Sequence, residues 1–167
     1  MSLHARLKAK IGDPILEQLT QGLSPEKIAL TVAVGLTIAV NPIVGTTTIL
    51  CFAAAWALRL NQPIIQAINW SSYALQLLLI FPFIRLGEKI FGAAPERRSL
   101  QELVALAKAD TLETIRTLGA TIGHAAVAWV LVAPLLTGAI YFGTRPIFRA
   151  LARRAAATRN RGVDDAA

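Results

Sequence analysis

Residues 28–58 read IALTVAVGLTIAVNPIVGTTTILCFAAAWAL. These 31 residues carry no charge, and Asn41-Pro42 interrupts them near the middle. About 20 apolar residues cross a bilayer as a helix. The stretch is therefore longer than one crossing needs and too short for two. Pro42 removes a backbone donor and crowds the preceding turn, so a helix must kink or stop there. Gly45 follows, then the hydroxyls of Thr46, Thr47 and Thr48. Unpaired backbone groups do not face lipid, so such a break is expected to be buried in protein or to line a wet cavity. The stretch reads as two half-length helices meeting at a break.

Two more stretches, 60–84 and 117–144, also lack Asp, Glu, Lys and Arg. The 167-residue chain is 54% hydrophobic and only 16% charged, against about 25% charged in soluble domains. Three long uncharged segments point to membrane insertion. The length suits one membrane domain over 1–167. No short apolar segment with a cleavage site precedes Ile28, so the first apolar run is expected to act as its own insertion signal. Cys51 is the single cysteine, which excludes an intrachain disulfide and a thiolate metal site. The formal charge is +7. The basic residues flank apolar segments, where the positive-inside rule and anionic headgroups explain them without nucleic acid.

Outward from the opening stretch, residues 1–23 read as an amphipathic surface region. Leu3, Leu7 and Ile11 share a helical face, and Asp13-Pro14 marks a second start. Ser24-Pro25-Glu26 is a helix start: a capping hydroxyl, proline in the first turn, and an acid at the positive end of the dipole. Arg59-Leu60-Asn61-Gln62-Pro63 is a short polar turn. The next apolar stretch carries Gln66, Asn69, Ser71, Ser72 and Gln76, too many polar groups in one half for a lipid-facing helix. Residues 95–118 are polar and amphipathic, with starts at Ser99 and Thr111. The third stretch holds Gly119 and Gly123 in a GxxxG spacing that favours close helix packing. Pro134 is expected to interrupt that stretch. Residues 145–167 form a basic tail with six arginines.

Taken together, residues 22–92 resemble the DUF2062 family of small bacterial membrane proteins. The resemblance rests on GLSPEKIAL, the apolar run with Gly35, the Pro42-Ile43-Val44-Gly45 break, ALRLNQP, and the polar-aromatic segment ending in FIRLG. The later HAAVAWVLVAPLL is similar to the C-terminal segment of one branch. The resemblance implies a multi-pass protein of the bacterial cytoplasmic (inner) membrane and supplies no activity. One departure stands out. Tyr73-Ala74 occupies the place soon after Asn69 where the family has a proline, so a softer break is expected there.

The flanks of the three stretches carry 4, 1, 6 and 6 basic residues. Three straight crossings place the arginine-rich tail outside. A first stretch that enters and returns on one side places both termini inside, with the first, second and fourth flanks together. The expected fold is thus all-α and polytopic, with a Pro-broken, re-entrant first segment and amphipathic surface helices.

Two functions fit. In the first, lipid or a small solute moves passively along polar residues at membrane depth: Asn41, Pro42, Thr46, Thr47, Gln66, Asn69, Ser72 and Gln76. Broken helices build substrate sites in transporters. The bland alternative for each residue is an inter-helix hydrogen bond. All ten acids lie outside the three stretches, which disfavours ion-coupled transport. In the second, the chain is a non-catalytic structural or assembly factor, and Gly119 and Gly123 pack against another helix. The expected partners are membrane lipids and a second copy of the chain, and nucleic acid is not expected. Neither cofactor nor metal is implied. An enzyme is disfavoured, because His124 is the one imidazole at membrane depth and no hydrolase or phosphate-loop motif occurs.

Overall fold

The computed structural model describes residues 24–93 and 111–164, with side chains over 24–93 and 118–153. The expected amphipathic region over 1–23, residues 95–110 of the amphipathic helix expected over 95–118, and the tail side chains past Arg153 lie outside the described residues. Five helices follow in order: α1 (Pro25–Ala39), α2 (Thr47–Leu58), α3 (Gln62–Ser71), α4 (Tyr73–Phe91) and α5 (Thr111–Asp164). The architecture of the described residues is all-α.

The start of α1 is local chemistry. The Ser24 hydroxyl accepts from the Lys27 amide at 3.3 Å, and Pro25 occupies the first turn. α1 ends at Ala39, two residues before Asn41, and helical structure resumes at Thr47. α2 then folds back. The Lys27 ammonium donates to the Leu58 carbonyl at 3.0 Å, so the end of α2 lies beside the start of α1. This antiparallel pair buries Ile38, Cys51 and Ala55 together with Leu60 and Ile65. At 1.5 Å per residue the two helices are only about 22 and 18 Å long. Neither reaches across a hydrocarbon core of about 30 Å.

α3 runs parallel to α1. Ile64 and Ile68 pack on Ile28 and Ala29. Gly35 permits the approach, since a Cβ there would lie 3.1 Å from the Ile65 side chain. The Asn61 side chain caps α3 by accepting from the Ile64 amide at 3.0 Å. At Ser72 the chain turns by 67° into α4. A break thus forms where one was expected, with Tyr73-Ala74 in place of a proline. The Ser72 amide is shared between the Ile68 and Asn69 carbonyls, at 3.0 and 3.2 Å, which ends α3 without any proline.

α5 is the spine. It runs antiparallel to α1 and α4, which lie end to end along it. Phe148 packs on the start of α1, Ala125 meets Val40 and Phe83 where α1 gives way to α4, and His124 lies against Gly87 near the end of α4. Pro134 and Pro146 sit inside α5. The expected interruption at Pro134 therefore does not occur. Over Leu118–Arg153, α5 is long and apolar enough to cross a membrane, yet only 11% of its apolar window is buried. A core helix of a water-soluble domain would be mostly covered. The α3–α4 pair qualifies only as one bent unit. The first uncharged stretch is not a crossing in its own right.

Candidate site at the helix break and the groove beside it

The break is closed by three hydrogen bonds that answer to three backbone groups freed from the helix ladder. The Asn41 side-chain oxygen accepts from the Ile43 amide at 2.7 Å. The Thr46 hydroxyl donates to the Ile43 carbonyl at 2.9 Å. The Gln76 amide, from α4, donates to the Asn41 carbonyl at 2.8 Å. Asn41 and Gln76 are 3% and 2% exposed, so this last bond is shut away from solvent and lipid. Gly45 has φ +90°, a conformation that suits glycine. Pro42 and Thr47 are buried beside the turn. Local sequence dictates the turn, and a residue 35 positions away locks it.

A second polar group lies between α2 and α3. The Gln66 amide donates to the Thr48 carbonyl at 3.1 Å, and the Asn69 amide donates to the Thr48 hydroxyl at 3.3 Å. Ser72, at the bend, is buried. The eight residues singled out in the sequence thus fall into two sets. Asn41, Pro42, Thr46, Thr47 and Gln76 surround the break. Gln66 and Asn69 tie α3 to the first turn of α2, with Ser72 just beyond them.

Beside this second set a groove of about 650 Å³ opens sideways between α2 and α3. Phe52, Ala67, Trp70 and Pro63 give it apolar walls, and Gln62, Gln66 and Ser71 add polar groups. The Gln62 amide donates to the Phe52 carbonyl at 3.0 Å. The side-chain oxygen of Gln66 is buried with no hydrogen-bond partner among the described residues. No lining side chain is charged. From Gln62 to Ser71 the helix rises about 14 Å, roughly half of a hydrocarbon core. The groove offers hydrogen bonds to a polar group and an apolar wall to an acyl chain.

Phe52, Thr48, Gln62 and Trp70 are functional candidates that reading the sequence passed over. Thr48 is one of three adjacent threonines, and no local pattern marks it as the partner of α3. A different pair, Thr37 and Thr137, joins α1 to α5 through their hydroxyls at 3.0 Å, and the Trp129 indole donates to the Thr37 carbonyl at 2.9 Å. Gly119 and Gly123 have open space in front of them: a Cβ at either would meet no described atom within 4 Å. The tight approach on α5 is instead made by Gly87, where a Cβ would lie 2.5 Å from the His124 backbone.

The fold and the groove define a small helical protein with an apolar exterior and polar groups held inside it. The family described as an uncharacterized protein conserved in bacteria (DUF2062) matches residues 9–157, and the chain belongs to that family. No curated protein matches the chain, and no solved structure matches it.

Proposed function

We propose that this chain is a multi-pass integral protein of the bacterial inner membrane that moves lipid passively and is not an enzyme. In this reading α1 and α2 form a re-entrant hairpin, the bent α3–α4 unit crosses once, and α5 crosses back. The distribution of charge along α5 supports it. His124 lies level with Gly87, between Arg85 and Lys89, and Arg149 pairs with Glu26 at the other end. From His124 to Arg145 the helix rises about 32 Å, close to the thickness of a hydrocarbon core. Exposed Ile49, Phe52, Trp56, Trp70, Leu78, Phe81, Leu135 and Phe142 then face acyl chains.

The observation that carries lipid movement is the α2–α3 groove. It opens to the side, carries no charge, and holds amide groups where a bilayer offers none. A headgroup entering at Gln62 finds polar partners as far as Ser71, which shortens the apolar distance left to cross. Reconstituted protein is expected to speed the exchange of fluorescent phospholipid between leaflets of liposomes. Gln62→Leu with Gln66→Leu is expected to slow that exchange at least several-fold. Exchange no faster than in protein-free liposomes would refute the reading.

A structural or assembly role is the second reading, favoured by the open face at Gly119 and Gly123. A second copy could approach closely there. Cross-linking from cysteines at these positions in native membranes is its test, and a chain that stays monomeric contradicts it.

A further inference from the structure

Three arginines gather at one end of the molecule. Arg145, Arg149 and Arg153 recur every fourth residue on α5, which places them along one side of the helix. Arg149 and Arg153 line a shallow pocket with Pro25, Glu26 and Ala152, at the start of α1. Lys27, on the same first turn of α1, donates instead to the Leu58 carbonyl of α2. Opposing the arginines is Glu26, which accepts from Arg149 at 2.7 Å. Arg145 lies with its guanidinium 5.8 Å from the centre of the Tyr141 ring. Its buried Nε has no hydrogen-bond partner among the described residues. Glu26 neutralises one cation and leaves an excess of two.

The surroundings say what kind of anion fits. The uncharged run of α5 ends at Thr144, so Arg145 begins the zone where headgroups lie. Tyr141, Leu151 and Ala152 pack around the buried start of α1 and supply apolar surface directly beside the cations. Exposed Phe142, three residues before Arg145 and so on the same side of α5, extends that surface outward. Guanidinium groups bind phosphate oxygens through paired hydrogen bonds. A ligand with a phosphate next to acyl chains satisfies both parts. We propose that the cleft between the start of α1 and Arg145, Arg149 and Arg153 binds the phosphate of an anionic phospholipid in the leaflet at that end. This goes beyond the groove between α2 and α3 and does not depend on lipid movement through it.

The test is thermal unfolding of the purified full chain in neutral detergent, titrated with phosphatidylglycerol, phosphatidylcholine or inorganic phosphate. Phosphatidylglycerol is expected to raise the midpoint, and phosphatidylcholine is not. Arg145→Gln with Arg153→Gln is expected to weaken the phosphatidylglycerol effect roughly thirtyfold in concentration, from the loss of two interfacial cations. Arg159→Gln with Arg161→Gln removes the same charge from the tail and is expected to leave the effect in place. Helix content by circular dichroism without lipid checks that both variants fold. If the first pair loses its fold, the Arg153→Lys variant replaces it and is expected to weaken binding less than tenfold. Equal loss in the two double variants would overturn the site, because net charge alone would then explain binding. Equal stabilisation by inorganic phosphate would overturn a lipid ligand.

Discussion

At the scale of single residues, the polar groups differ in what depends on them. Gln76 is the partner of a buried carbonyl at the break. Gln76→Leu leaves that carbonyl unpaired in an apolar setting and is expected to cost about 1–3 kcal/mol, read as a lower midpoint in detergent. Gln66 sits on the groove and bonds at a half-exposed position. Gln66→Leu is expected to lower stability by less than Gln76→Leu does, while slowing lipid exchange. A glycine contrast works in the same way. Gly87→Ala forces a methyl against the His124 backbone and is expected to cost about 1–3 kcal/mol by overpacking. Gly123→Ala, where the added methyl meets no described atom within 4 Å, is expected to change monomer stability by less than about 0.5 kcal/mol. The two substitutions separate packing inside one chain from packing between copies.

At the scale of elements, starts and stops were legible where their chemistry is local. Ser24-Pro25-Glu26 marks α1, and Asn41-Pro42 marks its end within two residues. The bend at Ser72 was legible only through the family resemblance, and its 67° size was not, because no proline or glycine makes it. α4 is aimed by contacts distant in sequence: Gln76 on Asn41, and Phe83 and Gly87 on α5. Pro134 misled in the opposite direction, since a proline signals a break and α5 continues through it. The groove was legible only as a scatter of polar residues along the sequence. One wall residue, Phe52, comes from α2 and the others from α3, and the pairing of Thr48 with Gln66 and Asn69 spans 18 and 21 positions. The break itself is held by hydrogen bonds from Asn41, Thr46 and Gln76, and Pro42 is one part of it. Pro42→Ala is therefore expected to cost about 1 kcal/mol or less and to keep the hairpin, as read by unchanged labelling of cysteines at either end.

At the scale of the whole molecule, both ends of the α1–α2 hairpin and the start of the arginine row on α5 lie together. Lys27 reaches Leu58, and Glu26 reaches Arg149. The Arg149 hydrogen bond holds the Glu26 carboxyl below its usual range. A depressed carboxylate contributes stability above its unfolded value and loses it as pH falls through the lowered one. Acidification is thus expected to remove the Glu26–Arg149 ion pair while the apolar contact between α1 and α5 remains, and Glu26→Gln is expected to flatten that acid limb of the stability profile. In the proposed membrane reading, the same geometry puts the two ends of α5 on opposite faces. The most direct measurement is cysteine labelling in intact and permeabilised cells, with Cys51 replaced by alanine and single cysteines placed at Gln62, Lys89 and Arg145. The account predicts that Gln62 and Arg145 label from the same face and Lys89 from the other. Labelling of Gln62 and Arg145 from opposite faces would contradict it.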